Sequence, residues 1–275
     1  MAPALLLSLR EGLEIALIIG IILGALRKTK RGDLKSAVWA GAGTAAVFSL
    51  LIAYLLGLYG KTLEGHAEQI FEGITMLLAV GLLTWMIFWM VRQSRTIKGE
   101  IETNVRRATI QAGKQGLFFL AFIAVVREGI ELALFFTAAS FTVAAIQAVI
   151  GATLGLVIAA LLGWAFFTST IRLDLRKFFL VTGALLIFFA AGLAAHGVHE
   201  LNEAGWIPTI VEHVWNTSSV LNEDSTVGSL VGALFGYNSN PSLSELLAYI
   251  GYFVVIISVV YLNSNALPTS QEVPS

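Results

Sequence analysis

Seven long apolar segments, separated by polar connections, limit most strongly how this chain can fold. They cover approximately residues 4–26, 36–58, 69–91, 115–139, 144–168, 178–198 and 243–262. Each is long enough to cross a bilayer as an α-helix, which needs about 20 residues. Charged residues make up only 13% of the chain, about half the share in a typical soluble domain. The sequence therefore predicts an all-α, polytopic membrane protein with seven transmembrane helices in a single transmembrane domain, residues 1–275.

The basic residues of the connections predict the orientation of the chain. The first, third and fifth connections are rich in lysine and arginine, whereas the second and fourth together contain only Lys61. The sixth connection, residues 199–242, contains neither residue type. Since basic connections stay in the cytoplasm, the N-terminus is predicted outside and the C-terminus inside a plasma membrane or bacterial inner membrane.

A five-residue motif occurs twice along the chain. Residues 10–14 are Arg-Glu-Gly-Leu-Glu, and residues 127–131 are Arg-Glu-Gly-Ile-Glu. In the next segment of each half, residues 52–57 resemble residues 158–163. A repeat unit of three helices is odd in number, so the second copy is predicted to lie upside down in the membrane. Secondary transporters commonly have such inverted repeats, with the substrate site near the midplane at the repeat interface.

The repeat predicts the organisation of the whole chain. The third segments of the two halves resemble each other only weakly, around Gly73 and Gly183. The predicted parts are repeat one at about 4–91, repeat two at about 115–198, an outer loop at 199–242, a seventh helix at 243–262 and a tail at 263–275. The third connection is predicted to contain a short surface helix. The apolar run 227–237 is too short to span and is predicted to be interfacial or re-entrant.

The motif glutamates are the predicted metal ligands. Glu11 and Glu14 are three residues apart and share one helix face, and the same holds for Glu128 and Glu131. A charge at the bilayer centre costs about 2.5–3.5 kcal/mol, so these side chains must face the bundle interior and have partners. Their oxygens are the ligands that hard cations prefer. Both pairs are therefore predicted to converge on one multivalent cation.

Each motif also carries an arginine and a glycine. Arg10 and Arg127 are predicted to balance excess negative charge and to orient the carboxylates. The order of arginine before glutamate is the less favourable one within a helix, so both arginines are expected to reach another helix instead. Gly12 and Gly129 are expected to let a neighbouring backbone approach closely.

Further candidate ligands lie towards the outer ends of the third and sixth segments. Glu72 is predicted to be an additional metal ligand. Possible ligands where the ion enters are His196, His199, Glu200, Glu203, Glu68 and His66. The first four of these share one helix face, and imidazole with carboxylate suits transition metals. For Glu68 and His66 an ordinary interfacial position is the favoured interpretation.

Several function classes find no support in the sequence. The chain has no cysteine, which removes disulfides, thiolate metal sites and cysteine nucleophiles. It has no phosphate-binding glycine loop and no nucleophile elbow. We therefore expect neither an enzyme, nor an organic cofactor, nor a nucleic-acid partner. The sequence leaves the oligomeric state open.

The two motifs, the seven segments and the outside N-terminus resemble the oxidase-dependent iron permeases, which include fungal high-affinity and bacterial EfeU-type members. Residues 199–208, His-Glu-Leu-Asn-Glu-Ala-Gly-Trp-Ile-Pro, also resemble the bacterial branch. The resemblance covers essentially the whole chain and implies iron import with the motif glutamates as ligands. It also implies an external oxidase, peroxidase or iron-binding protein as partner. The number of carboxylates favours ferric over ferrous iron.

The residues leave other interpretations open. Some relatives are linked to lead uptake, so the motif alone does not fix the metal. The same glutamates could relay protons in a carrier of an organic cation. Alternatively, the buried charges could only hold helices together in an assembly protein that transports nothing.

Overall fold

The chain is all-helical in the computed structural model, which describes residues 1–93, 97–142, 144–168, 175–208, 211–222 and 225–265. The helices in these ranges are α1 (Ala2–Lys28), α2 (Lys35–Lys61), α3 (His66–Gln93), α4 (Ile97–Gln111), α5 (Gly113–Thr142), α6 (Ala145–Thr168), α7 (Leu175–Glu203), α8 (Thr226–Phe235) and α9 (Leu243–Asn265). A 3-10 turn, Gly32–Leu34, precedes α2. The predicted fold class is confirmed. Residues 266–275 of the predicted tail lie outside the described residues.

Five of the described helices contain stretches long and apolar enough to cross a membrane. These stretches are Gly32–Gly60, His66–Trp89, Ala145–Ala165, Lys177–Glu203 and Leu243–Leu262. The chain is therefore a multi-pass membrane protein. Helices α1 and α5 are 27 and 30 residues long but carry the charged motifs near their centres. Their lengths agree with the predicted total of seven spans.

The outward faces of α2, α6 and α9 are apolar. Leu50 of α2 is 71% exposed, Leu161 of α6 is 61% exposed and Ile257 of α9 is 65% exposed. Large contiguous apolar surfaces are unfavourable in water but are what lipid chains require. These three helices therefore lie at the periphery and surround a core built from α1, α3, α5 and α7.

The first helix of each half packs on the second helix of the other half. Helix α1 packs most extensively on α6, and α5 on α2. Along the first pair, Gly151 lies beside Met1 and Gly163 lies beside Ala16, so α1 and α6 run in the same direction. Along the second pair, Gly41 lies beside Phe118 and Gly129 lies beside Ser49. Helices α2 and α5 therefore also run in the same direction.

The third helices of the two halves, α3 and α7, pack on each other in opposite directions. Gln69 Nε2 donates to Glu203 Oε2 over 2.8 Å, and Gly73 lies beside Gly197. All three helix pairings have the directions that an inverted repeat requires, in which equivalent helices point opposite ways. The arrangement places α1 and α5, with their motifs, against each other.

The similarity between residues 52–57 and 158–163 gives a register that is wrong by one helical turn. It would make Ala53 the equivalent of Ala159. In the structure, however, Ala159 lies beside Gly12, whereas Ser49 lies beside the equivalent Gly129. Both helices carry small residues at every fourth position, so a shift of one turn leaves the sequences looking alike. Packing against the motif helices is therefore the better guide to equivalence.

The two short predicted segments both form helices. Helix α4 packs on α5 and α1, and its Val105 is buried in a cluster with Leu26 and Leu117. Helix α8 has only ten residues and packs on α7 and α1. It ends at Gly236, whose left-handed backbone (φ 68°) lies directly on Gly192 of α7. This close approach brings the end of α8 down alongside α7, as expected for a re-entrant segment.

Candidate metal centre

Three motif glutamates from two helices meet inside the bundle. Glu11 of α1 and Glu128 and Glu131 of α5 each offer a carboxylate oxygen, and these oxygens all lie within 4.8 Å of one another. All three residues are buried. Like charges this close repel strongly in a low-dielectric interior. The arrangement is therefore costly unless positive charge is present among the carboxylates.

Two carboxylate oxygens of this cluster have no hydrogen-bond donor among the described residues. Glu11 Oε2 and Glu131 Oε2 are buried and have no hydrogen-bond partner among the residues that the structure describes. A buried acceptor left unsatisfied costs about 1–3 kcal/mol, and more when charged. A cation bound among the carboxylates would satisfy both oxygens.

Arg10 makes the shortest ion pairs with the carboxylates of this centre. Its Nη1 lies 2.6 Å from Glu11 Oε1, and its Nη2 lies 2.9 Å from Glu14 Oε1. The arginine side chain is fully buried and also contacts the sulfur of Met86 in α3. Arg10 therefore ties the two glutamates of its own motif together and joins α1 to α3.

Arg127 is held more loosely. Its Nε lies 3.3 Å from Glu131 Oε1 and 4.0 Å from Glu128 Oε1, and its side chain is 37% exposed. Its guanidinium carbon lies 4.6 Å from the ring centre of Trp89 and 5.2 Å from that of Trp85, both in α3. The expectation that the arginines would reach another helix instead of their own glutamates was therefore wrong. Each does both, because a guanidinium has several donors on one planar group.

The motif glycines make close helix contacts. A methyl group at Gly12 would lie 2.7 Å from Ala159 Cβ of α6, well inside van der Waals contact. At Gly129 the added group would collide with the Ser49 side chain of α2. The prediction that these glycines admit a neighbouring helix is confirmed. They allow α1 to pack closely on α6 and α5 to pack closely on α2.

The fourth predicted ligand, Glu14, is an electrostatic neighbour of Glu11 and Glu128 but is not one of the three glutamates whose oxygens lie within 4.8 Å of one another. Its carboxylate pairs with Arg10, and its side chain is 13% exposed. Glu131, its equivalent in the second motif, belongs to the cluster. The two halves of the centre are therefore not identical.

The outer candidate ligands form a separate group around the end of α7. His199 Nε2 lies 3.2 Å from Glu203 Oε1, and His199 Nδ1 lies 3.0 Å from Glu245 Oε1. His196 Nδ1 instead lies 3.0 Å from the backbone oxygen of Gly192. The two histidines therefore have different partners, and among the described residues they do not belong to a close cluster of metal-ligating groups.

Glu72 also lies with the outer group. Its electrostatic neighbours are the carboxylates of Glu200 and Glu68, and the carboxylates close to Glu11 are those of Glu14, Glu128 and Glu131. Glu72 thus does not join the cluster of three. His66 is exposed at the beginning of α3.

Comparison with known proteins adds an independent observation. The model of the iron permease FTR1 family matches residues 1–267. The chain belongs to the iron permease FTR1 family. The ferrous iron permease EfeU of Yersinia pestis is 36% identical over 259 residues, covering 94% of this permease and 92% of the relative. The ferrous iron permeases EfeU of Escherichia coli O6:K15:H31 and Shigella sonnei are 36% and 37% identical, each over 97% of this chain and 98% of theirs. No solved structure matches this permease.

Sequence reasoning missed several residues that shape the permease's polar sites. Glu245 near the start of α9 is only 3% exposed, and its position inside an apolar segment was a usable signal. Trp85 and Trp89 contact the guanidinium of Arg127. Two tryptophans one helical turn apart were a weaker sequence signal than the charge of Glu245 in an apolar segment. Ser8 lies three residues before Glu11, and its buried hydroxyl has no hydrogen-bond partner among the described residues.

Proposed function

We propose that this permease imports iron across the plasma membrane and that the ion passes between the carboxylates of Glu11, Glu128 and Glu131. The unsatisfied buried oxygens of Glu11 and Glu131 carry the proposal. A cation bound among the three carboxylates would satisfy both oxygens and relieve the repulsion between them. Oxygen ligands from several carboxylates are typical of sites for hard multivalent cations.

The geometry weighs against two other functions. If the charges only held helices together, their oxygens would be satisfied by arginines and backbone groups. A carrier of an organic cation needs room for an organic group, whereas these oxygens lie within 4.8 Å of one another. That spacing fits a single ion. The names of the relatives direct the proposal to iron rather than lead.

The transported ion is proposed to be ferrous. The motif carboxylates outnumber the motif guanidinium groups by two, so a divalent cation would bring the centre near neutrality. The relatives are named ferrous iron permeases. The preference for ferric iron inferred from the number of carboxylates has no further support, because Glu14 is engaged by Arg10.

The proposed direction of transport follows the predicted orientation, with the N-terminus outside. Helix α3 begins, and α7 ends, at the predicted outer side, where Glu68, Glu72 and Glu200 lie close enough to interact. This acidic group would concentrate cations before they reach the central carboxylates. Glu72 and its neighbours are thus proposed to act where the ion enters.

An external oxidase, peroxidase or iron-binding protein is proposed to deliver iron to the outer loop. The acceptor residues would be Glu200, Glu203, Glu223 and Asp224, of which Glu223 and Asp224 lie outside the described residues. Neutralising all four should reduce uptake when iron is limiting. Unchanged uptake under that condition would remove this role.

The decisive experiment measures uptake of radioactive ferrous iron into vesicles reconstituted with Glu11→Gln, Glu128→Gln or Glu131→Gln at matched protein levels. Each change preserves shape and removes one charge. Uptake should fall by at least about tenfold, because the loss of a charged ligand costs more than about 1.4 kcal/mol. The control is Glu212→Gln in the outer loop, where Glu212 is exposed. Near-normal uptake by all three variants would overturn the proposal in favour of charges that only join helices.

A further inference from the structure

The two motif arginines differ although they occupy equivalent positions in the repeat. Arg10 is fully buried and makes ion pairs of 2.6 and 2.9 Å. Arg127 is 37% exposed, and its shortest ion-pair distance to a carboxylate is 3.3 Å, through Nε. Charge-assisted N–H···O bonds usually measure about 2.7–2.9 Å. Arg127 donates to Glu131 Oε1 through Nε, and it therefore pairs more weakly with its carboxylates than Arg10 does with its own.

Trp85 and Trp89 are the groups that hold it. They lie one turn apart on α3, with ring centres 6.3 Å apart and ring planes within 28° of parallel. The guanidinium of Arg127 lies over both rings, 4.6 Å from Trp89 and 5.2 Å from Trp85. Tryptophan is the strongest cation–π partner among the aromatic side chains. A planar guanidinium also stacks well on an aromatic ring.

A guanidinium this close to Glu128 and Glu131 would otherwise be their preferred partner. Arginine forms strong charge-assisted bonds to carboxylates where geometry allows, and Arg10 makes one such contact to Glu11 and another to Glu14 through its two Nη atoms. Such pairing would place positive charge among Glu11, Glu128 and Glu131. It would also use the oxygen of Glu131 that is unsatisfied in the structure.

We infer that Trp85 and Trp89 are positioning residues that hold Arg127 beside the metal centre and keep it from occupying the position of the ion. This inference rests on the proposed function of the three glutamates. The guanidinium of Arg127 competes with the divalent cation for the carboxylates. Because the two indoles bind the guanidinium, they favour binding of the cation. Removing the indoles lets the guanidinium move onto the carboxylates, so the affinity for iron falls.

The test measures equilibrium binding of radioactive ferrous iron, kept reduced, to the full-length protein in lipid nanodiscs. The Trp85→Leu/Trp89→Leu variant should bind iron about tenfold more weakly, in line with the loss of two partly exposed cation–π contacts. The Trp85→Phe/Trp89→Phe variant keeps aromatic faces and should recover most of the affinity. The control is Trp39→Leu in α2, because Trp39 is 59% exposed and belongs to the apolar periphery. Equal binding by the Leu and Phe pairs would overturn the inference.

A second comparison separates positioning from packing. In an Arg127→Gln background there is no guanidinium to hold, so replacing both tryptophans by leucine should leave iron affinity within about twofold. A loss as large as in the Arg127 background would mean that the indoles act by packing, and would overturn the inference.

Should Arg127→Gln fail to fold, the comparison of the Leu and Phe pairs decides alone. If the unaltered protein binds no iron, the proposed function fails first. If it binds iron and the leucine pair binds equally well, only this inference fails.

Discussion

Arg10 Nη1 lies 2.6 Å from Glu11 Oε1, and neither side chain has any exposed surface. In a low-dielectric interior such a pair is held strongly, and the loss of one member leaves the other charge uncompensated. The equivalent residue in the second motif, Arg127, is partly exposed and shares its guanidinium with two aromatic rings. The arginine of the motif is thus buried and tightly paired in α1, whereas in α5 it is partly exposed and more weakly paired.

The first prediction concerns the different cost of removing these arginines. Arg10→Ala should lower the free energy of unfolding by about 3–5 kcal/mol, the usual cost of leaving a buried charge without its partner. Arg127→Ala should cost only about 1–2 kcal/mol, because its ion pairs are longer and partly exposed. Thermal unfolding of the purified variants in lipid nanodiscs measures the difference. Arg27→Ala, at the exposed end of α1, is the control, and equal losses for Arg10 and Arg127 would contradict the assignment.

The second prediction concerns the contact between α1 and α6. Gly12→Ala places a methyl group 2.7 Å from Ala159 Cβ, so the helices must separate, at a cost of about 1–3 kcal/mol. Gly24→Ala in the same helix meets nothing within 4 Å and should stabilise α1 by up to about 1 kcal/mol. Opposite shifts of the unfolding temperature for the two variants are expected. A Gly12→Ala variant as stable as Gly24→Ala would mean that this contact does not set the helix spacing.

The third prediction concerns Glu245, which joins the start of α9 to the end of α7. Its carboxylate lies 3.0 Å from His199 Nδ1 and accepts from Asn238 Nδ2 over 2.8 Å and from the Ser242 backbone N–H over 3.1 Å. Glu245→Ala leaves these donors, of which the Ser242 N–H is buried, without an acceptor, at a cost of about 1–3 kcal/mol. Hydrogen exchange should become faster at the start of α9 and at the end of α7. The exposed Glu212→Ala should change neither, and unchanged exchange in Glu245→Ala would show that this carboxylate is dispensable.

Much of this architecture follows from pattern alone. The length of the apolar segments predicts membrane helices, and the repeated motif with an odd number of helices predicts inversion. Three-residue spacing places Glu128 and Glu131 on one face of α5, and both do reach Glu11. These inferences hold because they depend on helix geometry and on the cost of charge in lipid, which tertiary context does not alter.

Other features depend on tertiary packing and could not be predicted in this way. Spacing treats Glu14 like Glu131, yet Glu131 joins the cluster and Glu14 pairs with the buried Arg10. His196 shares a helix face with His199, yet its ring nitrogen contacts the backbone oxygen of Gly192 in the same helix. Spacing along one helix says nothing about which neighbouring helix is near enough to offer a partner.

The last prediction uses the difference between Glu14 and Glu131. The sequence makes them equivalent, so a symmetric site would lose the same iron affinity from either Glu14→Gln or Glu131→Gln. In the structure Glu14 Oε1 is 2.9 Å from the buried guanidinium of Arg10, whereas an oxygen of Glu131 lies within 4.8 Å of oxygens of Glu11 and Glu128.

Glu131→Gln should therefore weaken ferrous iron binding by at least about tenfold, since it removes a charged ligand. Glu14→Gln should weaken it by no more than about threefold and should instead lower the unfolding temperature, because Arg10 loses a buried partner. Equilibrium binding and thermal unfolding of both variants, measured in the same nanodiscs, give the two quantities. Equal loss of affinity would mean that the ion is held symmetrically by both motifs, and that Glu14 leaves Arg10 when iron binds.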